Sequence, residues 1–264
     1  MPMETAEVAA RARTENFPIA SVLFPRELRP HLRAIYGFAR LVDILGDEVE
    51  GDRLAHLDWL EGELARAYDG EPEHQLMRRL APTLQAFELP REPFLRLIEA
   101  NRRDQEQAVY STFDELLEYC DLSANPVGEL VLHVFGAATS SRIDLSNDVC
   151  TALQLVEHWQ DVDEDYGRGR VYIPAEDLER FGVAPGEFEG EGFEQLMSFE
   201  IARARTLLDE GARLVGTLRG RARIAVAGYV GGGRAALDAL DTHRAKASKA
   251  ARVIATLRTY VRGR

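Results

Sequence analysis

Apolar side chains recur every three or four residues along almost the whole chain, and this feature limits the fold more than any other. In "AIYGFARLVDILGDE" the residues Ile35, Phe38, Val42 and Leu45 share one face. That is the helical period of 3.6, where a strand would alternate. Strand signals are scarce throughout. Pro25 and Pro30 open a predicted helix running to about Glu48. "GDRLAHLDWLEGELARAYDG" is a second helix, ended by glycine. "HQLMRRLAPTLQAFELP" and "REPFLRLIEANRRDQEQ" are shorter ones, punctuated by Pro82, Pro90 and Pro93. "TFDELLEYC" runs toward Asn125-Pro126 and Gly128, which break or kink it. "ELVLHVFGAATSS" resumes the helix, and Gly136, Ala137 and Ala138 permit close approach there. A long helix is expected from about Asp144 to Tyr166, then an irregular connection over "RVYIPAEDLERFGVAPGEF", then two or three closing helices. No repeat, linker or shift of composition divides the chain, so residues 1–264 read as one all-α domain.

A net charge of −12 argues against a nucleic-acid partner, which needs a dense basic surface. Cys120 and Cys150 are too few for a disulfide framework or a thiolate metal site, and are read as buried packing residues. "MPMETAEVAARARTENF" mixes acids and arginines without an apolar core, so no signal peptide is read there. No segment reaches the roughly 18 apolar residues that span a bilayer. A cytoplasmic location is expected.

Two acidic stripes stand out. Tyr36, Arg40, Asp43 and Asp47 follow one another at spacings of four, three and four, among apolar neighbours. Gln154, Glu157, Asp161, Glu164, Asp165 and Arg168 line up in the same way on the predicted 144–166 helix. The second stripe alone could be a solvated helix face. Asp43 alone could be held in an internal pair with Arg40. Together they carry two i,i+4 aspartate pairs, Asp43/Asp47 and Asp161/Asp165. Four converging carboxylates repel unless divalent cations lie between them. Mg²⁺ takes oxygen ligands and is held by a few carboxylates plus substrate phosphate. Such pairs are a physical device for holding a diphosphate and stabilising it as it leaves. Arg40, Arg168 and Arg170 can bond the same phosphate oxygens. A hydrocarbon would need an apolar, helix-lined cavity that keeps water from a carbocation.

Asp43-Ile44-Leu45-Gly46-Asp47 and Asp161-Val162-Asp163-Glu164-Asp165 resemble the two aspartate-rich motifs of the squalene/phytoene synthase family. "YGFARLVD", "EYCDLSANPVGELVLHVFG", "LQLVEHWQDVDEDYGRGRVYIP" and "RGRARIAVAGYVGGGRAAL" are similar to family blocks, in family order, over nearly the whole chain. The resemblance implies an isoprenoid-synthase-type helical bundle with a central apolar cavity. It also implies two or three Mg²⁺ ions at Asp43, Asp47, Asp161 and Asp165. Tyr36 and Arg40 match residues facing the diphosphate. Gln154 matches a glutamine two turns before the second motif, and Arg170 and Tyr172 match an RxYxP pair. Tyr229 matches a cavity tyrosine, and Asn16 falls near an N-terminal contact to diphosphate. Tyr36 and Tyr172 are therefore grouped with the four aspartates as catalytic.

"SANPVG" and the chain length look most like the bacterial hopanoid-pathway branch. That likeness implies conversion of presqualene diphosphate to hydroxysqualene with water capture and no nicotinamide cofactor. Association with other enzymes of that pathway follows as an expectation. The alternatives are a head-to-head synthase condensing farnesyl or geranylgeranyl diphosphate to presqualene diphosphate, squalene or phytoene, and a helical scaffold without catalysis. Two departures bear on the choice. Ile44 stands where the family has a second aspartate, at i+1 and so off the stripe. Glu157 stands where the family often has asparagine. It could take a metal, or pair with Arg40 or Arg168.

His133 and His158 lie on helices and either accept protons or, as is more common for such histidines, serve as packing residues. "GYVGGGRAAL" has no strand before it and is no nucleotide loop; its glycines join two helices or admit backbone close to the cavity. After Asp241 the chain has no acid but carries Arg244, Lys246, Lys249, Arg252, Arg258, Arg262 and Arg264. Ala251, Val253, Ile254, Leu257 and Val261 run between them at helical spacing. This is either a closing helix packed against acidic neighbours or a peripheral contact with the inner membrane face.

Overall fold

The computed structural model describes residues 24–243 and 248–263. Thirteen α-helices and one π-helical turn make up this described part, and Val109–Val171 is an isolated bridge within it. The helices group into two compact units. One holds the chain up to Glu106 together with Pro126–Ala138, the other Gln107–Asn125 and the chain from Thr139 on.

In the first unit α1 (Arg29–Asp43) begins with Pro30 in its first turn, where proline lacks no needed donor. A π-helical turn, Ile44–Glu48, follows without a break. Then come α2 (Arg53–Asp69), α3 (Gln75–Ala86) and α4 (Glu92–Glu106). Asp52 caps α2 by accepting from the Ala55 amide at 3.0 Å, and Gly70 closes it at φ 88°. Pro82 does not punctuate as expected: it lies inside α3. α1 packs on α3 and α4, with Phe38 and Phe94 meeting edge to face at 5.0 Å between centroids. α6 (Asn125–Val134) completes this unit, and Gly136 at φ 61° follows its end.

In the second unit α5 (Phe113–Ser123) ends at Ala124 and α6 starts anew with Pro126 in its first turn, so the expected break at Asn125-Pro126 is present. α7 runs Ser140–Gln160 and α8 Val162–Gly167. The single helix expected over 144–166 is thus divided at Asp161, whose φ of −111° and ψ of 20° leave the helical region. After α9 (Ala175–Phe181) come α10 (Glu191–Gly211), α11 (Leu214–Thr217), α12 (Gly220–His243) and α13 (Lys249–Arg262). Among the described residues the closing helices are therefore four. α10 packs on α7 and α12, and α12 on α13.

The 231–233 glycines join nothing; they lie inside α12. A Cβ at Gly231 would fall 2.4 Å from the Thr256 amide nitrogen of α13, and one at Gly233 2.6 Å from a methyl of Leu153. They let a helix backbone and a leucine approach α12, which is a packing role.

Candidate functional site

The first aspartate pair straddles the change from α to π winding. Ile44 is fully buried while the Asp43 side chain is 50% exposed, so the i+1 residue does point away from the carboxylate. Asp43 is not buried, although its neighbours Leu41, Val42, Ile44 and Leu45 are. Its pair with Arg40 is long, 3.8 Å, whereas Arg40 reaches Glu48 at 2.6 Å. Tyr36 lies half-buried one turn earlier and Asp47 is exposed.

The π turn has local and distant supports. Its closing bond runs from the Val49 amide to the Ile44 carbonyl, 3.1 Å. Gln105 Nε2 donates to the Gly46 carbonyl at 3.0 Å, and Arg53 Nη2 to the Asp47 carbonyl at 2.9 Å. Asn101 fills the space over Gly46 so closely that a Cβ there would meet its Oδ1 at 2.1 Å. Only glycine fits. A π turn takes more residues per turn than an α-helix, which shifts Asp47 round the axis from its α-helical register with Asp43.

In the second unit the acidic run sorts by exposure. Asp161 and Asp165 are half-buried, and Asp163 and Glu164 are exposed. The Asp165 amide bonds the Asp161 carbonyl at 2.8 Å, preserving the i,i+4 relation across the break. Arg168, 62% exposed, holds Glu164 at 2.7 Å on the outer side. Arg170 instead lines a cavity of about 10 Å³ with His158, Asp165 and Tyr172. That is roughly the room of one water.

His158 belongs to this cluster. Its ring stacks on buried Tyr172 at 3.7 Å between centroids, its Nε2 lies 3.2 Å from Gln154 Nε2, and its Nδ1 lies 4.0 Å from Asp165 Oδ2. Burial pushes its pKa below the ordinary value, against the pull of Asp165 and Asp161. Tyr110 and Tyr119 extend the stack beyond Tyr172. The sequence leaves His158 between packing and proton acceptance; its i+4 spacing from Gln154 is the signal that joins it to this cluster. Glu157 is half-buried on the same helix. Tyr229 of α12 faces α7 close to Cys150, and burial raises its hydroxyl pKa. Cys120 is buried and its thiol is pushed up to about 12, while Cys150 is only half-buried. Asn16 lies outside the described residues.

Among the described residues no three His, Cys, Asp or Glu side chains form a ready-made metal cluster. The donors in each unit are nonetheless paired carboxylates with partial access to solvent. That donor set fits a hard ion completing its shell with water and phosphate.

The family model for squalene/phytoene synthase matches residues 10–259. A hydroxysqualene synthase of Zymomonas mobilis is 37% identical over 177 residues, which are 66% of this chain and 59% of that relative. The chain thus matches less than two thirds of the relative's length. Phytoene synthase of Daucus carota is 31% identical over 94% of this chain and 67% of its own. The crystal structure of squalene synthase HpnC from Alicyclobacillus acidocaldarius superimposes with a TM-score of 0.84 at 43% identity, covering 92% of this chain and 95% of that one. With that family model matched over residues 10–259 and the fold shared with a solved relative, the chain belongs to the squalene/phytoene synthase family.

Proposed function

We propose that this chain is an enzyme acting on a prenyl diphosphate and, within that class, a hydroxysqualene synthase working on presqualene diphosphate. The observation that carries the reading is the sorting of the second acidic run. Asp165 lines a small cavity with His158, Arg170 and Tyr172, Asp161 is half-buried one turn before it, and Asp163 and Glu164 between them are exposed. The likeness to hydroxysqualene synthases supports the branch.

Asp43, Asp47, Asp161 and Asp165, with Glu157, would hold Mg²⁺, which neutralises charge on the departing diphosphate. Arg40 and Arg170 would bind phosphate oxygens with Tyr36 facing the diphosphate, and Tyr229 would border the carbon chain. The carbon–oxygen bond to diphosphate breaks with both electrons leaving on oxygen. After rearrangement the carbocation takes a water oxygen and releases a proton. The products are hydroxysqualene and diphosphate, and the balance requires no reductant.

The likeness to phytoene synthases over nearly the whole chain favours a second reading, head-to-head condensation of two prenyl diphosphates. Incubation with presqualene diphosphate and Mg²⁺, with and without NADPH, separates the two. Hydroxysqualene in both samples supports the first. Turnover confined to farnesyl or geranylgeranyl diphosphate would replace it with the second.

A further inference from the structure

The closing helix α13 is amphipathic in an inverted sense. The side packed on α12 carries small and polar residues. Thr259 is buried and accepts from Arg234 Nη1 at 3.2 Å, and Thr256 backs onto Gly231. Arg223 Nη2 donates to the Tyr260 carbonyl at 2.9 Å, fastening the end of the helix. The large apolar residues point the other way. Val253 is 59% exposed, Ile254 50%, Leu257 60% and Val261 79%. At 3.6 residues per turn these four lie within roughly 100° of arc. A contiguous stripe of this kind marks a contact surface, since single exposed leucines are common but aligned ones are not.

Charge identifies the partner. Arg258 and Arg262 follow the stripe along one flank and line a groove of about 940 Å³ with Arg205, Arg213 and Arg234. Three acids, Asp209, Glu210 and Asp238, also line the groove, and Arg234, Arg213 and Arg205 respectively pair with them. From Thr242 onward the sequence has no acid, although the whole chain has a net charge of −12. An apolar stripe edged by arginines fits an anionic lipid surface, where apolar side chains enter the acyl boundary and arginines reach the headgroups. We infer that α13 is a peripheral membrane-docking surface for anionic bilayers, with Val253, Ile254, Leu257 and Val261 as the inserted face. No helix among the described residues is long and apolar enough to cross a membrane, so the contact is lateral. This surface shares no residue with the proposed site.

The test is co-sedimentation of the full chain with phosphatidylglycerol-containing vesicles and with pure phosphatidylcholine vesicles, at low and high salt. Binding is expected to the anionic vesicles only, and to fade with salt. Arg258→Gln with Arg262→Gln should weaken it about 30-fold, the equivalent of about 1 kcal/mol for each arginine. Leu257→Gln with Val261→Gln, both at exposed positions, should reduce it while circular dichroism stays unchanged. Absence of binding to anionic vesicles overturns the inference, as does equal, salt-independent binding to both kinds. Light scattering without vesicles supplies the remaining outcome. A dimer that Leu257→Gln/Val261→Gln converts to monomer assigns the stripe to a second copy of the chain instead.

Discussion

The imidazole of His158 lies 17° from parallel to the Tyr172 ring, and its Nδ1 is 4.0 Å from the Asp165 carboxylate. Stacking fixes the plane of the ring and Gln154 fixes its rotation. A neutral ring with its proton on Nδ1 suits both neighbours, leaving Nε2 to accept from Gln154. His158→Phe should keep the stack and most of the stability, yet lower turnover by one to two orders of magnitude as Asp165 loses its orienting neighbour. His158→Ala leaves a cavity and should also lose about 2–4 kcal/mol. Denaturant melts beside diphosphate-release rates separate the two effects. Normal turnover in the phenylalanine variant would return His158 to a packing role.

On the proposed function, Asp43→Asn and Asp161→Asn would each remove a ligand charge from a carboxylate with access to solvent. Substitutions at such positions change stability by about 0.5 kcal/mol or less. Turnover should nevertheless fall by orders of magnitude with thermal melts nearly unchanged. Near-normal rates in both variants would sink the metal-holding role of the aspartates.

Glu157 is tested by its metal titration. As a ligand it sets part of the affinity, so Glu157→Gln should shift the Mg²⁺ dependence of turnover to higher concentration while maximal rate at saturation changes less. A superimposable titration curve removes Glu157 from the site.

Gly46→Ala should press a methyl group onto Asn101 and disturb the π turn that carries Asp47. The expected loss is about 1–3 kcal/mol, in the range of core overpacking, with a matching loss of activity. Asn101→Ala in the same chain should restore part of both, because the two changes share one contact. Simple additivity in melts of the single and double variants would contradict this account of the turn.

Glu200 gives a pH dependence outside the site. Its side chain is fully buried in α10, and burial raises its pKa to about 8 against the opposing charge of Arg203. A carboxyl whose pKa is higher in the folded chain binds more protons there than in the unfolded chain. Its contribution to stability is therefore complete below the unfolded value of 4.5 and is lost as pH rises toward 8. Glu200→Gln should flatten that decline, giving a higher melting temperature than the parent at pH 8 than at pH 5 by comparison. Parallel pH curves for the two proteins would refute it.

Periodicity and spacing were enough to place the helices of α1, α2 and α7, the helix break near Asn125-Pro126 and the inward turn of Ile44. Each depends on residues within a few turns of one another, where backbone geometry alone sets the face. Nonlocal packing decided the remainder. Pro82 stays helical within packed α3. The chain turns to π winding at Ile44 where Asn101, distant in sequence, occupies the space above Gly46 and Gln105 bonds its carbonyl. Asp161 leaves the helix, which separates half-buried Asp161 and Asp165 from exposed Asp163 and Glu164. His158 joins the site because Tyr172, beyond the next turn, folds back to stack on it. The apolar residues of α13 face outward because the glycine of α12 at 231 admits a backbone on the opposite side. A helical stripe in sequence states which residues share a face; only a neighbouring element states whether that face is covered.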